Sequence, residues 1–181
     1  MNMRRGYTLI ELAMIVTIVA IIFAVTLPST GVKENEEGNL AGQNFEVDVS
    51  YARSYSIAHP EDPVLIKMDQ ANNQYWLAKQ SAPDTPIAHP QTGAPYLIKY
   101  GTGGRVGFEH VQITAYDFGG DTSVKFDSTG GLDQSTTAIL QLTSANSKYE
   151  VDVSPAAAQA TVQKGFIANI STDSSGVVTA Q

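Results

Sequence analysis

Between Tyr7 and Leu27 the chain runs through large apolar side chains almost without a break. The one carboxylate in that stretch is Glu11, and the other polar residues are Thr8, Thr17 and Thr26. As a helix, the segment would rise roughly 31 Å at about 1.5 Å per residue, matching the about 30 Å of a bilayer core. Leu9, Ile10, Leu12, Ile15, Val16, Ile18, Ile21, Phe23 and Leu27 would then face lipid or neighbouring helices. Arg4 and Arg5 precede the run, and Glu34, Glu36 and Glu37 follow it. That charge asymmetry predicts a single span with a cytoplasmic N-terminus and the rest of the chain on the far side of the membrane.

Three readings of the segment compete. A cleaved secretory signal has a shorter apolar region, about 7–15 residues, ending at a small-residue site; here the run is longer and no such site follows. A plain membrane anchor explains the length but not Glu11. An acidic residue at the centre of a membrane helix costs about 2.5–3.5 kcal/mol, and such residues usually mark function.

The flank supplies the third reading. Arg4-Arg5-Gly6-Tyr7-Thr8-Leu9-Ile10-Glu11-Leu12 resembles the class III signal of type IV pilins and type II secretion pseudopilins. That pattern is a short basic leader ending in Gly, an apolar or aromatic residue, then Glu five positions after the cut. The resemblance covers about the first 28 residues and implies a leader over 1–6 and a transmembrane assembly helix over 7–28. It further implies cleavage by prepilin peptidase between Gly6 and Tyr7, N-methylation of Tyr7, and a helix kink at Pro28. Phe or Met is commoner where Tyr7 stands. Cleavage creates a cation at the head of an apolar helix, and Glu11 supplies an anion. A buried charge is tolerated when paired, so Glu11 is expected to set the register between subunits.

Residues 29–60 read as a linker followed by an amphipathic helix. Pro28 lacks a backbone donor, and Gly31, Gly38 and Gly42 each weaken a helix by about 1 kcal/mol, which predicts a joint near 28–38. From Leu40 to Ala58, Leu40, Val47, Tyr51, Tyr55 and Ala58 share one face and are expected to cover a sheet. His59-Pro60 ends the helix, because the residue before Pro avoids helical geometry. Beyond it, 61–181 reads as a β-rich periplasmic domain. Strands are predicted at 64–68, 74–78, 96–100, 111–116, 123–126, 137–142, 149–153, 159–163, 165–169 and, weakly, 176–179. Asn72-Asn73, Gly119-Gly120-Asp121 and Gly130-Gly131 mark turns, and 82–107 reads as a Pro- and Gly-rich loop or hairpin insertion. The class is α+β, with a long N-terminal helix, transmembrane then amphipathic, packed on an antiparallel sheet head. Ala52-Arg53-Ser54-Tyr55-Ser56-Ile57-Ala58 and Val124-Lys125-Phe126-Asp127-Ser128-Thr129-Gly130-Gly131 resemble the GspH/FimT branch of these families. That branch implies two β-sheets beside the helix. Its Gly-Arg pair in a late hairpin is not found here, where Ala156-Ala157-Ala158-Gln159 stands in that region.

Catalytic chemistry finds little support. Cys is absent, which removes disulfides, thiolate metal sites and thiol nucleophiles. His59, His89 and His110 are scattered, without zinc-helix spacing. Gly101-Thr102-Gly103-Gly104-Arg105-Val106-Gly107 lacks a Walker lysine and a following helix. Asp117, Asp121, Asp127 and Asp133 lie among glycines but lack EF-hand spacing, and Asp is common in turns. No enzyme activity, metal or cofactor is expected. A net charge of -7 opposes binding to phosphate backbones. The resemblance implies a minor pseudopilin near the tip of a type II secretion pseudopilus. Its partners would be other major and minor pseudopilins, prepilin peptidase, the inner membrane, and the secretin or secreted cargo. The alternative is a minor type IV pilin serving pilus assembly or DNA uptake.

Overall fold

The computed structural model describes residues 8–26, 30–145, 147–156 and 158–165. The chain divides into two compact units, Met1–Thr30 and Gly31–Gln181.

In the first unit, helix α1 covers Leu9–Thr26. Thr8 caps it: its Oγ1 accepts from the Glu11 amide at 3.3 Å, and its carbonyl accepts from the Leu12 amide at 3.1 Å. A Thr three residues ahead of Glu is the capping-box spacing, which satisfies amides that have no partner inside the helix. Thr17 turns its hydroxyl back to the Ala13 carbonyl at 2.8 Å. The expectation of a membrane span is overturned here. Among the described residues no helix is long and apolar enough to cross a membrane. The 18 residues of α1 rise about 27 Å, against a bilayer core of about 30 Å. A single-pass inner-membrane placement is therefore not supported.

The expected single long N-terminal helix packed on a sheet is corrected as well. Among the described residues two α-helices form, α1 and α2, the latter over Thr30–Ala58. The described side chains of α1, from Thr8 to Ile22, are exposed and cover no sheet of their own unit. Helix α2 is already formed at Thr30, so the predicted joint does not extend through 30–38. Pro28, expected to kink the chain, lies outside the described residues, as do Gly6, Tyr7 and Leu27.

The second unit holds two antiparallel four-stranded sheets. Strands β1 (Val64–Asp69), β2 (Gln74–Lys79), β3 (Leu97–Lys99) and β5 (Ser123–Lys125) form one, in the order β3-β2-β1-β5. Strands β4 (Val111–Asp117), β6 (Ala138–Ser144), β7 (Ser147–Val153) and β8 (Ala160–Gly165) form the other, in the order β4-β6-β7-β8. Period-two alternation places Ala138, Leu140, Leu142 and Ser144 of β6 inside, opposite Val153, Val151, Tyr149 and Ser147 of β7. Strand β8 covers the segment expected at 159–163 and runs on to Gly165; residues 166–169 of the next expected strand, and 176–179, lie outside the described residues. Asn73, in left-handed geometry at φ 54, ties the sheets together. Its Nδ2 donates to the Val111 carbonyl at 2.9 Å and its Oδ1 accepts from the Ile113 amide at 2.8 Å. The Asn72-Asn73 turn thus also acts as a clamp.

Helix α2 buries a face other than the one its large apolar residues suggest. Leu40, Val47 and Ala58 are exposed, and Tyr51 and Tyr55 are half-buried. Gly38, Ala41, Gly42, Phe45, Asp48, Val49, Ala52 and Ser56 are buried instead. Ala41, Phe45, Val49 and Ala52 join strand residues from both sheets in one core. The glycines explain the difference. A Cβ on Gly38 would lie 2.9 Å from Ser144 Cβ and closer still to the Tyr149 ring, and one on Gly42 would lie 3.0 Å from Val162. The helix sits too near the second sheet for side chains at those two points.

Candidate assembly surface

The first unit offers a surface rather than a pocket. Leu9 is 86% exposed, and even Val19 is 45% exposed; Ile10, Leu12, Met14, Ile15, Val16, Ile18 and Ile21 lie between. These residues occupy every side of the helix, because nearly every position is apolar. A helix that is apolar all round requires burial from outside itself, and contiguous exposed apolar area of this kind marks an interaction site. Glu11 lies exposed in the first turn. There its carboxylate is placed favourably against the partial positive charge of the helix N-terminus. The Thr8 cap was not anticipated from the sequence; the T-x-x-E spacing was its signal. Phe23 lies on α1, its side chain outside the described set.

In the second unit, Asp48 of α2 is buried, and its two carboxylate oxygens accept from Tyr75 Oη at 2.6 Å and Tyr96 Oη at 2.9 Å. Burial pushes this carboxyl above the usual range, against the pull of the two tyrosine hydroxyls and the more distant Arg105 and His89 charges. Burial also raises Tyr75 well above its ordinary value, with the Tyr100 and Asp48 charges adding to the effect. The sequence leaves Asp48 off the apolar stripe and so hides this node. The Glu37 carboxylate, also buried, accepts from the His110 amide at 3.1 Å and meets His110 Nδ1 at 3.1 Å.

The aspartates flagged among glycines are engaged in turns and ion pairs. Asp127 Oδ1 accepts from the Thr129 amide at 2.8 Å, the Thr129 hydroxyl at 2.7 Å and the Gly131 amide at 2.9 Å. The Thr129 hydroxyl bond leads in holding its carboxyl below the usual range. Asp117 accepts from the Gly119 amide at 3.0 Å, and Asp121 and Asp133 face Lys125 at 2.8 and 3.8 Å. Among the described residues no group of three or more His, Asp or Glu is placed to hold a metal ion.

Comparison with protein-family models, with curated proteins and with solved structures found no match for this chain.

Proposed function

We propose that this chain is a structural subunit of a helical filament of the pseudopilin kind, a minor component near the tip of a type II secretion pseudopilus. In this reading the apolar surface of α1 is covered by the corresponding helices of neighbouring subunits, and the two-sheet unit is displayed for contact with other pseudopilins, the secretin or cargo. Prepilin peptidase cuts between Gly6 and Tyr7 and methylates the freed amine. Glu11 then pairs with such an amine on a neighbour and sets the axial register. The observation that carries the reading is the exposure of α1's apolar side chains on all sides, with one carboxylate among them. The basic leader and the Gly6-Tyr7 junction support it from the sequence.

The absence of cysteine makes the test clean. A Val16→Cys variant of the full chain, expressed in its native host with the peptidase present, is expected to form disulfide-linked dimers between neighbouring α1 helices. Adding Glu11→Leu should abolish those dimers while the far-UV circular dichroism stays that of the folded protein. Intact mass should report loss of six residues and gain of one methyl group. Undiminished cross-linking in the Glu11→Leu background, or a native chain that keeps its first six residues, would overturn the proposal.

A further inference from the structure

The two-sheet unit carries a cleft lined by residues of the 89–105 segment and by Asp48 of α2. It encloses about 590 Å³, against about 340 and 310 Å³ for two other depressions, and falls within the 300–1,000 Å³ usual for small-ligand sites. Tyr96 and Ile98, both buried, contribute an apolar floor. His89, Lys99 and Arg105 also line it.

The charges at this cleft run against the rest of the molecule. The chain carries 18 acidic and 11 basic residues, yet Lys99, Arg105 and His89 converge here with Asp48 as the one lining carboxylate. Asp48 is already occupied by two tyrosine hydroxyls. Lys67, Lys79 and Lys125 each hold a carboxylate, whereas neither Lys99 nor Arg105 forms an ion pair among the described residues.

The cations are also positioned. β3 is the terminal strand of its sheet, and the Arg105 amide donates to the Lys99 carbonyl at 2.8 Å. A Cβ on Gly104 would fall 2.9 Å from the Tyr100 carbonyl oxygen, so the loop lies flat against the strand only because that residue has no side chain. The Arg105 guanidinium stands 5.6 Å from the centre of the Phe108 ring, a cation–π distance. The His89 ring lies 4.5 Å from Tyr96, and its Nδ1 accepts from the Gln91 amide at 3.2 Å.

We propose that this cleft binds a carboxylate-bearing organic ligand, its carboxylate held by Arg105 and Lys99 and its body resting on Tyr96 and Ile98. A planar guanidinium matches a carboxylate with two parallel hydrogen bonds. The apolar floor suits an organic body, and a monoanion meets less repulsion than a phosphate dianion from a chain of net charge -7. The carboxylate can belong to an acidic peptide side chain or to a uronic acid sugar.

Titration calorimetry on the full chain separates these sources, with acetyl-Ala-Glu-Ala-amide in one arm and galacturonate in the other. Saturable binding of at least one probe is expected. Arg105→Ala should weaken it about tenfold or more, the loss expected for a charged hydrogen bond. Arg105→Lys should weaken it less, and Lys148→Ala, which removes a cation elsewhere, should leave it within about twofold. The probe that saturates identifies the source, and binding of both confirms the shared chemistry. The proposal is overturned if neither probe saturates, if Arg105→Ala and Lys148→Ala have equal effects, or if inorganic phosphate binds more tightly than both probes. Arg105 is exposed, so its variants should retain the parent melting temperature.

Discussion

At the scale of single residues, Asp48 decides the most. It is a buried carboxylate whose two oxygens serve Tyr75 and Tyr96, and burial holds its carboxyl above the unfolded value of 3.8. The folded state therefore binds its proton before the unfolded chain does. Stability from this group is fully present below 3.8 and is lost as pH rises through the raised folded value. Asp48→Asn removes that slope while keeping one carbonyl acceptor. Melting temperatures of the two proteins, measured from neutral pH down towards pH 4, are expected to shift in favour of the wild type on acidification. Asp48→Leu should cost about 1–3 kcal/mol at neutral pH, because it leaves the fully buried Tyr75 hydroxyl without its acceptor. A wild type that loses ground to Asp48→Asn as pH falls would show that burial does not govern this carboxyl.

At the scale of elements, α2 shows where the sequence could be read and where it could not. The strands were legible, because alternation along β6 and β7 and turn residues such as Gly119-Gly120 carry a period that burial then follows. The end of α2 at Ala58 was legible from His59-Pro60. Its buried face was not. Leu40 and Val47 carry the apolar signal but are exposed, while Gly38, Gly42 and Asp48, which score against burial, are inside. Close packing of helix on sheet selects small residues, and hydropathy cannot register a requirement for missing volume. The glycines that lower helix propensity by about 1 kcal/mol each are what admits the helix to its seat. Gly38→Ala should therefore destabilise by about 1–3 kcal/mol despite its better propensity, as overpacking does. Gly42→Ala, with its nearest contact at 3.0 Å, should cost less. Urea midpoints check both. A stabilised Gly38→Ala protein would mean that Tyr149 yields and that the seat is loose. Of the helix expected over Tyr7–Leu27, α1 covers Leu9–Thr26, and Tyr7 and Leu27 lie outside the described residues.

At the scale of the whole molecule, the chain divides at Thr30, and among the described residues the core belongs to the second unit. The core residues lie from Ala41 to Ala158. A fragment spanning 31–181 should keep the urea midpoint of the full chain and sediment as a monomer, while the full chain self-associates. Association of the fragment to the same degree would move the contact surface away from α1. The side chains of α1 also bear on the mechanics of any assembly it joins. With the Thr17 hydroxyl folded back on the Ala13 carbonyl of the same helix, the described outer surface is almost all hydrocarbon, and hydrocarbon contacts have no preferred direction. Such a joint resists being pulled apart but yields readily to twisting. Glu11 would then serve as the detent that lets a pliant shaft find its notch again after each turn.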